Sequence, residues 1–200
     1  LPVEIVFPNG TITYLYNAVG QKTTKTVTQG TTIIITDYLN GFQYKNAKLQ
    51  FFPHAEGYVN ATASGSSTSY SFNYVFNFTD HLGNVRLSYS KDSVTEELKI
   101  IEENHYYPFG LKHEGYNSYE AIANKYKYNG KEYQDELNLN LYDYGARNYD
   151  PAIGRFVGMD RLSEMTYSVT PYRFGFNNPI VFTDPTGLSE EGGNSLAICP

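Results

Sequence analysis

The chain has 200 residues, a formal net charge of −6, and basic residues scattered singly through a composition that is only 18% charged, so a phosphate backbone would be repelled and nucleic acid is not an expected partner. No apolar run approaches the roughly 18 to 20 residues of a bilayer span, the N-terminus lacks the basic-then-apolar order of a secretory leader, and no membrane insertion is expected. Twenty Tyr and 12 Phe with no Trp favour half-buried strands and point to an all-β protein, while the single Cys199 allows no internal disulfide and indicates no redox compartment.

The opening residues Leu1 to Ile5 read as the interior of a strand, so the chain is expected to be part of a longer protein. A hairpin turn at Pro8-Asn9-Gly10 leads into alternating Thr11 to Tyr16, and a second turn follows at Asn17 to Gly20. Thr31 to Asp37 is a β-branched strand, and Gly41 to Phe52 reads as a hairpin turning at Lys45-Asn46. The small polar run near residues 60–70 has the composition of a flexible loop. Beyond it, Phe72, Tyr74, Phe76 and Phe78 recur at period two and share one strand face. Such a row could stack on sugars, yet aromatics on strands pack chiefly on neighbouring strands. Asp80 to Asn84 makes a turn. Val94 to Asn104 mixes helix and strand signals and is read as strand from its context. Tyr116 to Asn124 and Gln134 to Leu139 are candidates for short helices.

His54, His81, His105 and His113 are dispersed without partners at ligand spacing, so neither a metal site nor a cofactor is expected. Carboxylates near the C-terminal third are the candidates for chemistry: Asp143, Asp150, Asp160 and Asp184. Asp150 and Asp184 precede Pro151 and Pro185, a context in which Asp usually caps backbone amides in a turn.

The densest signature runs from Tyr142 to Leu188. Tyr142, Tyr144, Gly145, Arg147, Tyr149, Asp150, Pro151, Gly154 and Arg155 lie in YDYGARNYDPAIGRF, and Asn178, Pro179, Asp184, Pro185 and Gly187 lie in NNPIVFTDPTGL. These motifs resemble the repeat-associated core of the Rhs/YD-repeat family. Further likenesses to that family are FTDHLGNVR (Phe78 to Arg86), HYYPFG (His105 to Gly110), YKYNGKE (Tyr126 to Glu132) and a drifted repeat at the N-terminus with Asn17 where the family usually carries Asp. The resemblance covers most of the chain and is weakest over residues 30–70.

The resemblance implies a YD-repeat β-hairpin array forming part of a spiral shell, with an inward-turning C-terminal core that plugs it. Residues 1–90 would be degenerate repeat strands, 91–188 the core, and 189–200 a tail toward a further C-terminal region. A hairpin unit cannot bury its aromatic face alone, so neighbours must stack. The implied function is a structural segment of a secreted bacterial protein whose shell encapsulates or presents a C-terminal effector. The implied partners are the rest of its own shell, that effector or a sorting domain, and secretion machinery. A cell-surface adhesin built on the same shell is the alternative, and a self-cleaving aspartyl protease is a second. In the family such a protease cuts after the DPxGL motif, here between Leu188 and Ser189. Asp160 matches the first catalytic Asp, but the position aligned with its partner holds Arg173. An Arg there keeps Asp160 ionised and removes the shared proton that an aspartyl dyad requires. The expectation is therefore an incomplete dyad and an uncut chain.

Overall fold

The computed structural model describes residues 1–64, 69–92, 94–114 and 124–192. Ten antiparallel strands form one meandering sheet in chain order: β1 (Glu4–Phe7), β2 (Gly10–Tyr16), β3 (Lys22–Gln29), β4 (Thr32–Leu39), β5 (Phe42–Lys45), β6 (Lys48–His54), β7 (Gly57–Ser64), β8 (Ser69–Thr79), β9 (Val85–Lys91) and β10 (Leu98–Glu103). A second sheet carries β11 (Glu132–Gln134), β12 (Leu141–Asp143), β13 (Asn148–Asp150) and β14 (Arg155–Phe156), and β15 (Phe182–Thr183) pairs with β16 (Glu191–Gly192). The all-β expectation holds: no α-helix occurs among the described residues.

Alternation gives the large sheet two unlike faces. On one face Ile12, Tyr14 and Val27, then Phe51, Tyr58 and Val75, are buried, and the C-terminal part covers them: Leu137 and Leu139 pack on the first group and Tyr126 on the second. On the other face Phe72, Tyr74 and Phe78 are 55 to 62% exposed. They do contact their neighbours, as Phe52 meets Phe72 and Phe76 meets Tyr89 at ring-centroid distances of 6.0 and 5.7 Å. Together with Phe52 they close over the small side chains of β7, leaving Val59 2% exposed. The period-two reading thus identifies a shared face, and that face is the one the C-terminal part leaves open.

Three expectations change. The run near 60–70 is not one loop: β7 continues through Ser64 and β8 resumes at Ser69, with Asn60 opposite Asn73 and Ser64 opposite Ser69. Small residues there extend a hairpin because Thr and alternating Ala fit a pleated face next to aromatics; Gly65 to Thr68 lie outside the described residues. The turn after β5 is made by Asn46 and Ala47, both at positive φ, one residue later than read. Gln134 to Leu139 is not a helix. Gln134 ends β11, and a single 3₁₀ turn at Glu136–Asn138 carries Leu137 and Asn138 at φ 52 and 62, which breaks helical propagation and turns Leu137 onto the Ile12 group. The candidate helix from Tyr116 to Asn124 falls, but for Asn124, outside the described residues. Leu98–Glu103 is a strand, as read.

Candidate functional site

The C-terminal part is built from motifs that dock on one another. Asp80 caps the Leu82 and Asn84 amides, and Asn84 in turn accepts the Asn129 amide, so the DHLGN turn seats the YNG turn. Tyr144 adds its hydroxyl to Asn129 at 2.7 Å. Tyr128, Tyr142, Tyr144, Tyr149, Phe156 and Phe174 form a buried aromatic cluster. The hydroxyls of Tyr128, Tyr149 and Tyr142 donate to the successive carbonyls of Pro108, Phe109 and Gly110 at 2.9, 2.8 and 3.4 Å. Tyrosine rather than phenylalanine is thus required in the signature: the ring fills the core while the hydroxyl satisfies a buried carbonyl. Gly110 sits at φ 86 with the Tyr128 ring 2.6 Å from where a Cβ would stand, so no other residue fits.

An ionic seam joins this part to the large sheet. Glu132 receives Lys22 Nζ at 2.5 Å and Lys25 Nζ at 2.9 Å, and the Tyr38 hydroxyl donates to it at 2.7 Å. Lys25 also meets Glu136, and Lys22 meets Asp143 at 2.6 Å. Burial alone would raise the Glu132 pKa, but Lys25 and Lys22 outweigh it and bring the carboxyl down to about 2. Burial likewise opposes the charge on Lys22 and Lys25, and their carboxylates prevail, raising both. Tyr14 completes the seam by donating to Gln134 at 2.6 Å. Neither lysine nor Glu132 stands out by spacing; they lie more than 100 positions apart, the lysines on the Thr-rich β3 and Glu132 at the start of β11.

The candidate chemical site centres on Arg147. Its Nη2 lies 3.2 Å from Asp184 Oδ2 and 3.3 Å from Asp160 Oδ2, its Nε donates to the Gly187 carbonyl at 2.5 Å, its Nη1 donates to Pro171 O at 3.1 Å, and its plane lies 3.8 Å over the Phe156 ring. Asp184 Oδ1 accepts the amides of Thr186, Gly187 and Leu188. The DPTGL turn is therefore held by the Asp184 carboxylate and the Arg147 guanidinium, with Lys131 Nζ donating to the Pro185 carbonyl at 2.5 Å. Burial raises the Asp184 pKa against the opposing Leu188 amide and Arg147 charge, and burial lowers that of Arg147 against Asp160 and Asp184. Asp160 Oδ1 caps the Leu162 amide at 2.8 Å, and its buried Oδ2 has ion-pair neighbours but no hydrogen bond among the described residues.

Of the other sequence-picked residues, Asp150 caps Ala152 at 2.8 Å and Arg155 pairs opposite it across β13 and β14. Gly145, Gly154 and Gly187 take positive φ. Asn178 accepts the Val181 and Phe182 amides through its carbonyl, with Pro179 buried after it. Asp143 is drawn to Lys22 and the Gly145 amide, and so is committed elsewhere. Arg173 approaches Asp160 no nearer than 3.9 Å and instead engages Glu190, which sequence reasoning missed. Arg173 does lie beside Asp160 as an ion-pair neighbour at 3.9 Å, and Arg147 lies closer at 3.3 Å and also bridges Asp184. Arg147 was read as a motif residue without this role. A cleft of about 460 Å³ near Phe51, Tyr58 and Tyr126 includes none of these groups. Among the described residues, no His, Cys, Asp and Glu gather as a metal site.

No protein-family model matches the chain. It is 34% identical over 108 residues to salivary gland surface protein 1 of Aedes aegypti, covering 54% of this chain and 3% of that protein. It is 36% identical over 93 residues to toxin subunit YenC1 of Yersinia entomophaga, covering 46% of this chain and 9% of that one. Its fold is similar to a chain in the crystal structure of TcdB2-TccC3-Cdc42, with a TM-score of 0.65 and 21% identity over 93% of this chain and 10% of that chain. The chain thus spans a tenth or less of the length of each of these proteins.

Proposed function

We propose that the chain is a structural segment of a toxin-complex-like, Rhs-type shell, with the ten strands through Glu103 as wall, so that the wall extends past the expected boundary at residue 90, and the part from there to residue 188 as the core that closes it. One observation carries this reading: the core seats on one face of a ten-stranded sheet through a buried seam centred on Glu132, leaving the sheet's other face open. A meander whose edge strands β1 and β10 have no outer partner among the described residues is suited to continuation by further hairpins. Similarity in fold to TcdB2-TccC3 and in sequence to YenC1 supports the toxin-shell role over the adhesin role; likeness to a salivary gland surface protein keeps the adhesin as the alternative. In this reading the whole protein is secreted, and the region after residue 200 is an enclosed effector. Limited proteolysis of the longer protein tests it. Sequence downstream of residue 200 should survive protease that digests the same segment expressed alone, and equal digestion would contradict enclosure.

The placement of Asp160 and Asp184 on one NH₂ group of Arg147 favours a second reading, self-cleavage after Leu188. An aspartyl pair shares one proton between two carboxyls, whereas here the Oδ2 atoms of both Asp160 and Asp184 are engaged by the same Arg147 Nη2, so the structural reading leads. Intact mass measurement of the parent, Asp160→Asn and Arg173→Asp decides. No cut in the parent is expected; a cut in the parent that Asp160→Asn abolishes would establish the protease.

A further inference from the structure

Arg173 and Glu190 form an ion pair that neither wall building nor peptide cleavage requires. The Arg173 side chain is 3% exposed and that of Glu190 2%, so both charges have left water and each depends on the other. The Arg173 Nη2 donates to Glu190 Oε2 at 2.9 Å and its Nε lies 2.7 Å from Oε1, against 3.9 Å for the approach of Nη1 to Asp160. Contact at those distances outweighs the longer one for the same charge. Arg173 also lies 5.2 Å over the Phe176 ring, which fixes its plane.

Glu190 stands two residues past Leu188, and the chain then makes two residue pairs with the core, Thr183 with Glu191 and Phe182 with Gly192. Both outgoing residues are exposed, and a two-pair ribbon of that length is not stable in water by itself. Something else must hold it. We infer that Arg173 is a receptor for the carboxylate of residue 190 and that this pair docks the outgoing chain on the core, independently of whether the Leu188–Ser189 bond is intact. Upstream of the bond the DPTGL turn is held by Asp184 and Arg147; downstream the chain is held by Arg173. A cut at Leu188 would then leave both ends in place, and the core would retain the released C-terminal segment without a covalent link.

Hydrogen exchange on the whole chain tests the inference without reference to shell formation or cleavage. Glu190→Gln keeps the shape of the side chain and removes its charge. Peptides covering Ser189 to Gly192 should exchange at least tenfold faster in this variant, while peptides covering Tyr142 to Asp150 stay at the parent's rate. Arg173→Met should give the same local pattern, and because it removes a buried group Glu190→Gln remains decisive if Arg173→Met fails to fold. Unchanged exchange at 189–192 in Glu190→Gln overturns the receptor, and so does an equal rise across both segments, which would make Glu190 a general stabiliser of the core.

Discussion

The ten-stranded sheet and the C-terminal core are both all-β, yet they are held by different forces. In the sheet, backbone ladders of four to eight residue pairs join most neighbouring strands, and many large side chains on the open face are exposed. In the core the strands are two or three residues long, and the work passes to side chains that satisfy backbone groups: Asp184 for three amides, Arg147 for two carbonyls, three tyrosine hydroxyls for three carbonyls. A ladder tolerates substitution because any residue but proline supplies its N–H and C=O. A side-chain scaffold does not, because each of its contacts needs a particular side chain.

The contrast predicts the largest losses where a buried charge is orphaned. Arg147→Ala removes the nearest cation from both Asp160 and Asp184 and should destabilise by about 3 to 5 kcal/mol in denaturant titration, whereas Glu132→Ala leaves Lys25 with Glu136 and Lys22 with Asp143 and should cost less. A loss below about 1 kcal/mol for Arg147→Ala would mean that water reaches the group.

Acid should separate the two regions next. The Glu132 carboxyl sits at about 2 in the folded chain against an ordinary 4.5, so the unfolded chain takes up this proton first as pH falls. The stability it contributes is present above about pH 4.5 and is lost progressively toward pH 2. Asp184 has the opposite sign: its pKa is raised by burial, so acid relieves rather than costs stability there. Denaturant midpoints of the parent should fall between about pH 4.5 and 2, and Glu132→Gln, less stable throughout, should show a smaller fall.

Smaller effects follow from single hydroxyls. Tyr149→Phe removes the donor to Phe109 O and should cost about 1 kcal/mol, more if that carbonyl finds no water. At the bottom of the scale, Tyr74→Ser on the open face should cost at most about 1 kcal/mol, the worth of a cross-strand pair. Thermal melts can rank the two, and a larger loss for Tyr74→Ser than for Tyr149→Phe would invert the contrast between sheet and core.

Legibility in the sequence followed the same division. Alternation located strands and turns in the sheet, and failed near residues 60–70 because small polar residues carry a loop's composition while still pairing as a ladder. In the core, residue identity located the turns of Asp150 and Asp184 and the motif tyrosines, but not the cluster they form or the pairings between them. That Arg147 rather than Arg173 approaches Asp160 more closely, and that Glu190 takes Arg173, depends on contacts between residues 13 to 37 positions apart that no local period encodes. The seam lay further out of reach: Lys25 and Glu132 meet across 107 positions, and each alone reads as an ordinary charge on a strand.

In the proposed shell the core lies inside the wall, on the face bearing Tyr14, Lys25, Phe51 and Tyr58. Electron cryomicroscopy of the longer protein tests this most directly. The result predicted is a closed β-shell in which that face lines the cavity, the core sheet of β11 to β14 is seated against it, and the chain beyond Gly192 runs into the enclosed space. A map in which the core sits on the outer surface, or in which the open face of Phe72, Tyr74 and Phe78 lines the cavity, would contradict it.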